Sequence, residues 1–156
     1  MKYAKVALIG GAGFVGRHLT HHLNNRGYRC RVLTRHAHRQ AGLRLSAEVV
    51  EADPYDLEDL SGAIRGCDGV VNLVGILNET GFDGSGFRRA HVDLARLVME
   101  ACKAEGVPRL LHMSALNADA GAAKSHYLRT KGEAEDLVHD GSTEQLIRYY
   151  RTHQDG

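Results

Sequence analysis

Charge of one sign is the first thing missing: twenty Lys and Arg stand against nineteen Asp and Glu in 156 residues, a formal net charge of +1. Such a balance leaves no global field to steer the chain towards nucleic acid or an anionic membrane, so anion recognition has to be local. Long hydrophobic runs are missing too. The longest, 70–77, is interrupted by Asn72 and Gly75 and falls far short of the roughly 20 apolar residues that cross a bilayer. Met1–Lys5 lead straight into a strand-like run with no apolar stretch or cleavage site of a secretory signal, and the expected location is the cytoplasm. Cysteine is sparse: Cys30, Cys67 and Cys102 are odd in number, widely spaced and outside any CxxC pattern, which argues against a disulfide framework or a zinc knuckle. There is no internal repeat, low-complexity tract or interdomain linker, and the length suits one domain.

What is present is alternation. Short runs rich in Val, Ile and Leu at 5–9, 29–34, 48–51, 69–74 and 109–113 read as strands. Helical patterns lie at 14–26, 57–64, 87–105 and 125–139, with a short or broken helix within 35–47. Gly27 and Gly106 close two of the helices. Strands alternating with helices predict an α/β fold, a three-layer αβα arrangement around a mainly parallel, doubly wound sheet. The segment 78–86, N-E-T-G-F-D-G-S-G, reads as a mobile loop, and it follows a strand, where ligand sites of such sheets lie.

Gly10-Gly11-Ala12-Gly13-Phe14-Val15-Gly16 follows the first strand directly and opens the first helix. The spacing G-x-x-G-x-x-G lets the backbone turn sharply and come close to a pyrophosphate, whose charge meets the free N–H groups of the helix N-terminus. Tyr127 and Lys131 sit one helical turn apart later in the chain. Together these residues resemble the short-chain dehydrogenase/reductase superfamily in its extended and atypical, epimerase/dehydratase-like branches. More narrowly, V-A-L-I-G-G-A-G-F-V-G, V-V-N-L-V-G-I-L-N-E, H-M-S-A-L-N-A-D and Y-L-R-T-K-G-E-A-E are similar to bacterial relatives of the nucleotide-binding accessory subunit of mitochondrial complex I, some of which are associated with ubiquinone biosynthesis. The resemblance runs from about residue 3 to 139, and implies a Rossmann fold that binds a nicotinamide dinucleotide.

About twenty positions past the glycines, NAD-binding units carry an acid for the ribose 2′-hydroxyl, while an arginine accommodates a 2′-phosphate. Thr34-Arg35-His36 stand there without an acid, so NADP(H) is the expected cofactor and NAD(H) the alternative. Asp53, in E-A-D-P, has two readings: the acid that the family places beside adenine, or the turn residue that Asp-Pro marks. Leu73, Val74 and Gly75 end the fourth strand, beneath the cofactor if the resemblance holds, and Gly10, Gly13, Phe14, Val15 and Gly16 take its pyrophosphate.

For chemistry, the resemblance implies Tyr127 as acid–base residue and Lys131 as its partner and as a ligand of the nicotinamide ribose; an ammonium beside a phenol favours the phenolate. Tyr-x-x-x-Lys is also common on solvated helix faces. Ser114 stands near the place of the hydroxyl that orients a substrate carbonyl, although Leu116 is the other candidate for that register. His91 occupies a position where many relatives have asparagine. His18, His21 and His22 share a helix face with no acid or thiol beside them, and no metal site is expected. The division implied is a nucleotide-binding domain over 1–140 and a divergent tail over 141–156, with Gln145 to Tyr149 as a remnant of a sixth strand and the fold incomplete at its C-terminus. An unidentified small-molecule substrate, and a protein partner or second copy, complete the expected partners. The rival reading is a non-catalytic nucleotide-binding subunit or redox sensor.

Overall fold

Lys5–Ile9 forms the first strand, β1, and its last three residues, Ala7, Leu8 and Ile9, are buried, as a strand must be when both faces of its sheet are covered. The computed structural model describes residues 4–141. After β1 come α1 (Phe14–Asn25), β2 (Arg29–Thr34), β3 (Glu48–Glu51), α2 (Leu57–Ile64), β4 (Gly69–Asn72), α3 (Ser85–Arg88), α4 (Leu94–Ala104), β5 (Leu110–His112) and α5 (His126–Asp140). All four strand pairings are parallel, in the order β3-β2-β1-β4-β5. β2 and β3 lie on one side of β1, β4 and β5 on the other. The direction of winding therefore reverses between β1 and β4, and a crevice opens at the carboxyl ends of those two strands.

Alternation along the strands sorts the core into two layers. Leu8, Cys30 and Val32 face one side, with Leu19 and Leu23 of α1 packed over them. Ala7, Ile9, Leu33 and Val70 face the other, against Leu60 and Ile64 of α2, Leu94, Ala95 and Val98 of α4, and Ala134 and Val138 of α5. The sequence-based fold class is what the structure shows, with two refinements of local structure. The segment 35–47 holds two single 3-10 turns, Ala37–Arg39 and Leu43–Leu45, in place of a broken α-helix. The helix expected at 87–105 starts at Ser85 and widens into a π-turn over Arg89–Asp93 before continuing as α4.

β4 stops at Asn72, two residues before the predicted end, because the Asn72 side chain accepts a hydrogen bond from the Val74 N–H at 3.1 Å and turns the chain out of the ladder. Leu73, Val74 and Gly75 thus lie in the crevice loop. The expected sixth-strand remnant at Gln145 to Tyr149 falls outside the described residues.

Candidate dinucleotide site

The glycine turn is built for close approach. Gly10 has φ +78°, and a Cβ there would press on the backbone of Leu73 and Val74 at 3.2 Å, so β1's exit and β4's exit lie in contact. Gly16 is backed so closely by the Gly11 backbone that no side chain fits, and Gly11 itself faces Leu8 Cβ, which a Cβ would meet at 2.7 Å. Gly13 is different: exposed, with extended backbone, it faces outward as the N-cap of α1. Packing is what keeps Gly11 and Gly16 free of side chains, while a Cβ on Gly13 would meet only the Gly10 carbonyl oxygen, at 3.3 Å.

The helices α1, α2 and α5, each entered from a loop, start differently. Asp56 caps α2 by accepting from the Asp59 N–H at 2.9 Å, and Ser125 caps α5 by accepting from the Leu128 N–H at 3.2 Å. α1 has no side-chain cap and no acid in its first turn, which leaves its leading N–H groups to an external anion. Phe14 and Val15, the first residues of α1, are exposed.

From this turn a cleft of about 250 Å³ runs across the ends of the strands, lined by Ile9, Gly10, Ala12 and Gly13 at the turn, Leu33, Thr34 and Arg35 after β2, Ala52, Pro54 and Tyr55 after β3, and Val74 and Ile76 after β4. The walls are mostly apolar, as a flat heterocycle requires. Asp53 is turned away from the cleft. Its carboxylate accepts from the Tyr55 N–H at 3.0 Å across Pro54, and it lines an acidic groove on the outside beside Asp56 and Asp59. Glu51, the nearest acid to the end of β2, is occupied by the Ala37 N–H at 2.9 Å. No carboxylate lines the cleft. Arg35, exposed, stands at its rim.

At the other end of the crevice Lys131 is almost wholly buried and donates from Nζ to the Met113 carbonyl at 3.0 Å. Burial brings the ammonium down to about 8, with the Glu135 carboxylate opposing. A Cβ on Gly75 would reach Lys131 Nζ at 3.2 Å, so the crevice loop and α5 meet at this lysine. Ser114 Oγ, just past β5, is buried without a hydrogen-bond partner, while Leu116 is exposed. Tyr127 sits in an aromatic corner, its ring edge-on to His91 at 5.3 Å and to Phe87 at 5.9 Å.

His91 joins three elements. Its Nε2 accepts from the Ile76 N–H at 3.3 Å, and its Nδ1 lies 2.8 Å from Thr130 Oγ1, which itself donates to the His126 carbonyl. With the threonine proton already placed, Nδ1–H is the donor and the imidazole is neutral. Burial, then the charge of Lys131, brings His91 down to about 4.

The family described as NAD(P)H-binding matches residues 10–147. The chain belongs to that family. Proteins similar to it include mitochondrial NADH dehydrogenase (ubiquinone) 1 alpha subcomplex subunit 9 of Mus musculus, 32% identical over 147 residues, covering 90% of this chain and 38% of that protein. A ceramide reductase of Caulobacter vibrioides is 33% identical over 143 residues, covering 91% and 44%. The fold matches Pen from Bacillus thuringiensis with a TM-score of 0.79 at 20% identity, over 90% of this chain and 45% of that one. The chain thus spans about two fifths of the length of these curated relatives. Its kinship is with short-chain dehydrogenase/reductase and epimerase-like proteins and with complex I subunit 9.

Several residues that shape the site were not singled out in the sequence. Tyr55, Asn72 and Thr130 act through contacts between elements distant in the chain, which spacing does not encode. Glu79 had a local signal that was passed over, an acid a few residues before a Gly-Ser helix start: its carboxylate accepts from the N–H groups of Gly84, Gly86 and Phe87 at 2.9 to 3.2 Å and ties the supposedly mobile loop to α3. His18, His21 and His22 go to separate neighbours, Phe14, Asn25 and Arg26. Among the described residues no group of three or more His, Cys, Asp or Glu could hold a metal ion, and no helix is long and apolar enough to cross a membrane.

Proposed function

We propose that this chain is the NADP(H)-binding part of a short-chain dehydrogenase/reductase-type oxidoreductase or epimerase. The observation that carries the reading is a largely apolar cleft, running from an uncapped glycine turn to Arg35, with no carboxylate along it. The residues present fit a dinucleotide: Gly10, Gly13, Phe14, Val15 and Gly16 receive the pyrophosphate, Ala52, Pro54 and Tyr55 take the adenine, and Thr34 and Arg35 receive the 2′-phosphoribose. Asp53 contributes as the turn residue that sets Pro54 and Tyr55 in the wall. Leu73, Val74 and Gly75 carry the nicotinamide half towards Lys131. A bound nicotinamide supplies or accepts a hydride.

The chain's own residues would handle the proton. Tyr127 is placed to give it to, or take it from, a carbonyl or hydroxyl of the substrate. Lys131 binds the ribose and keeps positive charge near the phenol once its hold on the Met113 carbonyl is exchanged for the ligand. Ser114 orients the substrate oxygen if its hydroxyl rotates out of its buried position. In a full-length relative with this motif, Tyr127→Phe is expected to abolish turnover and spare cofactor affinity, and retained turnover would assign the chemistry elsewhere.

A non-catalytic role, as a nucleotide-binding subunit or redox sensor of a larger assembly, has one observation in its favour. Lys131 Nζ and Ser114 Oγ are both buried, and Leu116, the other candidate for the register of the substrate-orienting hydroxyl, is exposed and has no hydroxyl to offer. The similarity to a complex I subunit suits that role, and a link to quinone metabolism belongs to the same proposal, as does a cytoplasmic location. NADPH and NADH titrations of the wild type and of Arg35→Ala test the cofactor assignment. NADPH should bind about tenfold or more tighter than NADH, the scale of a charge-assisted hydrogen bond, and Arg35→Ala should narrow the difference. Equal affinities in the wild type would overturn it.

A further inference from the structure

The π-turn at Arg89–Asp93 sets two adjacent arginines in opposite directions. Arg88 turns to α5 and pairs with Glu133 at 2.6 Å. Arg89 turns the other way, over the strand ends, and its guanidinium carbon sits 4.5 Å above the centre of the Tyr55 ring. That ring is part of the cleft wall, together with Arg35 and with Ala90, the residue next to Arg89. The Tyr55 ring thus carries one guanidinium on its face, that of Arg89 from the π-turn, and shares the cleft wall with a second, Arg35 after β2. Burial pushes the Tyr55 hydroxyl up, and the charges of Arg89 and Arg35 pull it back, with Asp93 opposing them.

Neither arginine is spent on an ion pair. Among the described residues the ion pairs of arginine belong to Arg31, Arg65 and Arg88. Glu51 faces the Ala37 N–H, and Asp53 is committed to its own turn. Two guanidinium groups outside any ion pair beside an apolar cleft, with the Asp93 carboxylate as the counter-charge felt at Tyr55 and one of the two already held by stacking on an aromatic ring, make a site for a doubly charged anion. π-turns inside helices are frequent at functional sites, and Arg89 is the first residue of this one, next to Ala90 in the cleft wall.

We propose that Arg89, braced on Tyr55, is a second specificity-determining contact for the 2′-phosphate of the bound dinucleotide, closing over it from the side opposite Arg35. This assignment rests on the NADP(H) reading given above. Stacking limits the freedom of the long arginine side chain before the ligand arrives, so less entropy is lost when it engages. The contact depends on the phosphate alone; a dinucleotide with a free 2′-hydroxyl gains almost nothing from it. Tyr55 then has two tasks, as a wall for the base and as a rest for the guanidinium.

NADPH and NADH titrations of the wild type, Arg35→Ala, Arg89→Ala, Arg89→Lys and Tyr55→Leu test this, with thermal melting to confirm that each variant is folded. Arg89→Ala should weaken NADPH binding by about tenfold and leave NADH within about twofold. Arg89→Lys should recover part of the NADPH loss, and Tyr55→Leu should lower the NADPH preference without removing it. An Arg89→Ala protein that keeps the full preference, while Arg35→Ala loses it, would overturn the Arg89 assignment and leave the NADP(H) reading standing. An equal loss for both nucleotides would also overturn it, showing a packing role for Arg89. A wild type that binds NADPH and NADH alike, unchanged by Arg35→Ala, would overturn the NADP(H) reading itself.

Discussion

His91 shows how one side chain can hold a site together and set its pH limits. A neutral imidazole accepts from the Ile76 N–H and donates to Thr130, pinning the crevice loop to α5. Its folded value of about 4 lies below the ordinary histidine value near 6.5. The unfolded chain therefore binds more protons between these two values, so stability rises with pH across that window. The contribution is complete above about pH 6.5, is lost progressively as pH falls towards 4, and amounts to on the order of 3 kcal/mol. His112, also brought down to about 4 by burial and by Lys131, acts in the same direction. Urea unfolding at pH 7 and pH 4.5 should show a clear loss for the wild type and a smaller one for His91→Asn. A pH dependence unchanged by His91→Asn would remove the imidazole from the account. His91 was legible in the sequence as an unusual residue at a marked position, but its tautomer was not, because both partners come from other parts of the chain.

Secondary structure followed from sequence where one pattern decided it and failed to where two competed. β1, β2, β3 and α2 have the predicted bounds; Gly10 ends β1, Gly27 precedes β2 and Asp56 caps α2, while β3 is marked by its Val pair alone. β4 looked longer than it is because Leu73 and Val74 continue the apolar run, whereas the Asn72 side chain decides the turn. The loop after it was read as mobile from its glycines and polar residues, yet the Glu79 carboxylate collects three backbone N–H groups at the start of α3. Acids at a helix start are worth about 0.5–2 kcal/mol. Glu79→Ala should cost about that much, and amide exchange should quicken over 79–88 while β1 and β4 stay protected. Uniform protection in that variant would mean that packing, not the carboxylate, orders the segment. The turn between β1 and α1 was legible from the G-x-x-G-x-x-G spacing, but the packing inside it was not: Gly16 fits only because it lies on Gly11, a residue outside that spacing. Gly16→Ala should accordingly lower the melting temperature by several degrees before any question of ligand arises, and an unshifted melt would contradict the close packing.

Across the whole molecule, the order β3-β2-β1-β4-β5 brings the ends of four strands to one crevice, and the candidate residues divide along it. The glycine turn, Arg35 and Tyr55 share the 250 Å³ cleft, while Tyr127, Lys131 and Ser114 lie beyond Gly75 at the β5 end. The glycine turn and the cleft beside it were legible because they depend on local turns and on charge near strand ends. The arrangement of Tyr127, Lys131 and Ser114 was less so, since it depends on where buried side chains point.

The central claim, that the glycine-turn cleft holds the dinucleotide, is tested most directly by calorimetric titration of NADPH into the wild type and Gly13→Val. Gly13 is exposed, its φ suits any residue, and a Cβ there would press only on the Gly10 carbonyl oxygen at 3.3 Å, so the valine should block the approach of the pyrophosphate at the cost of a small shift of the turn. Saturable one-to-one binding to the wild type, lost in a folded Gly13→Val protein, is the expected result; equal NADPH affinity in the two folded proteins would contradict the account.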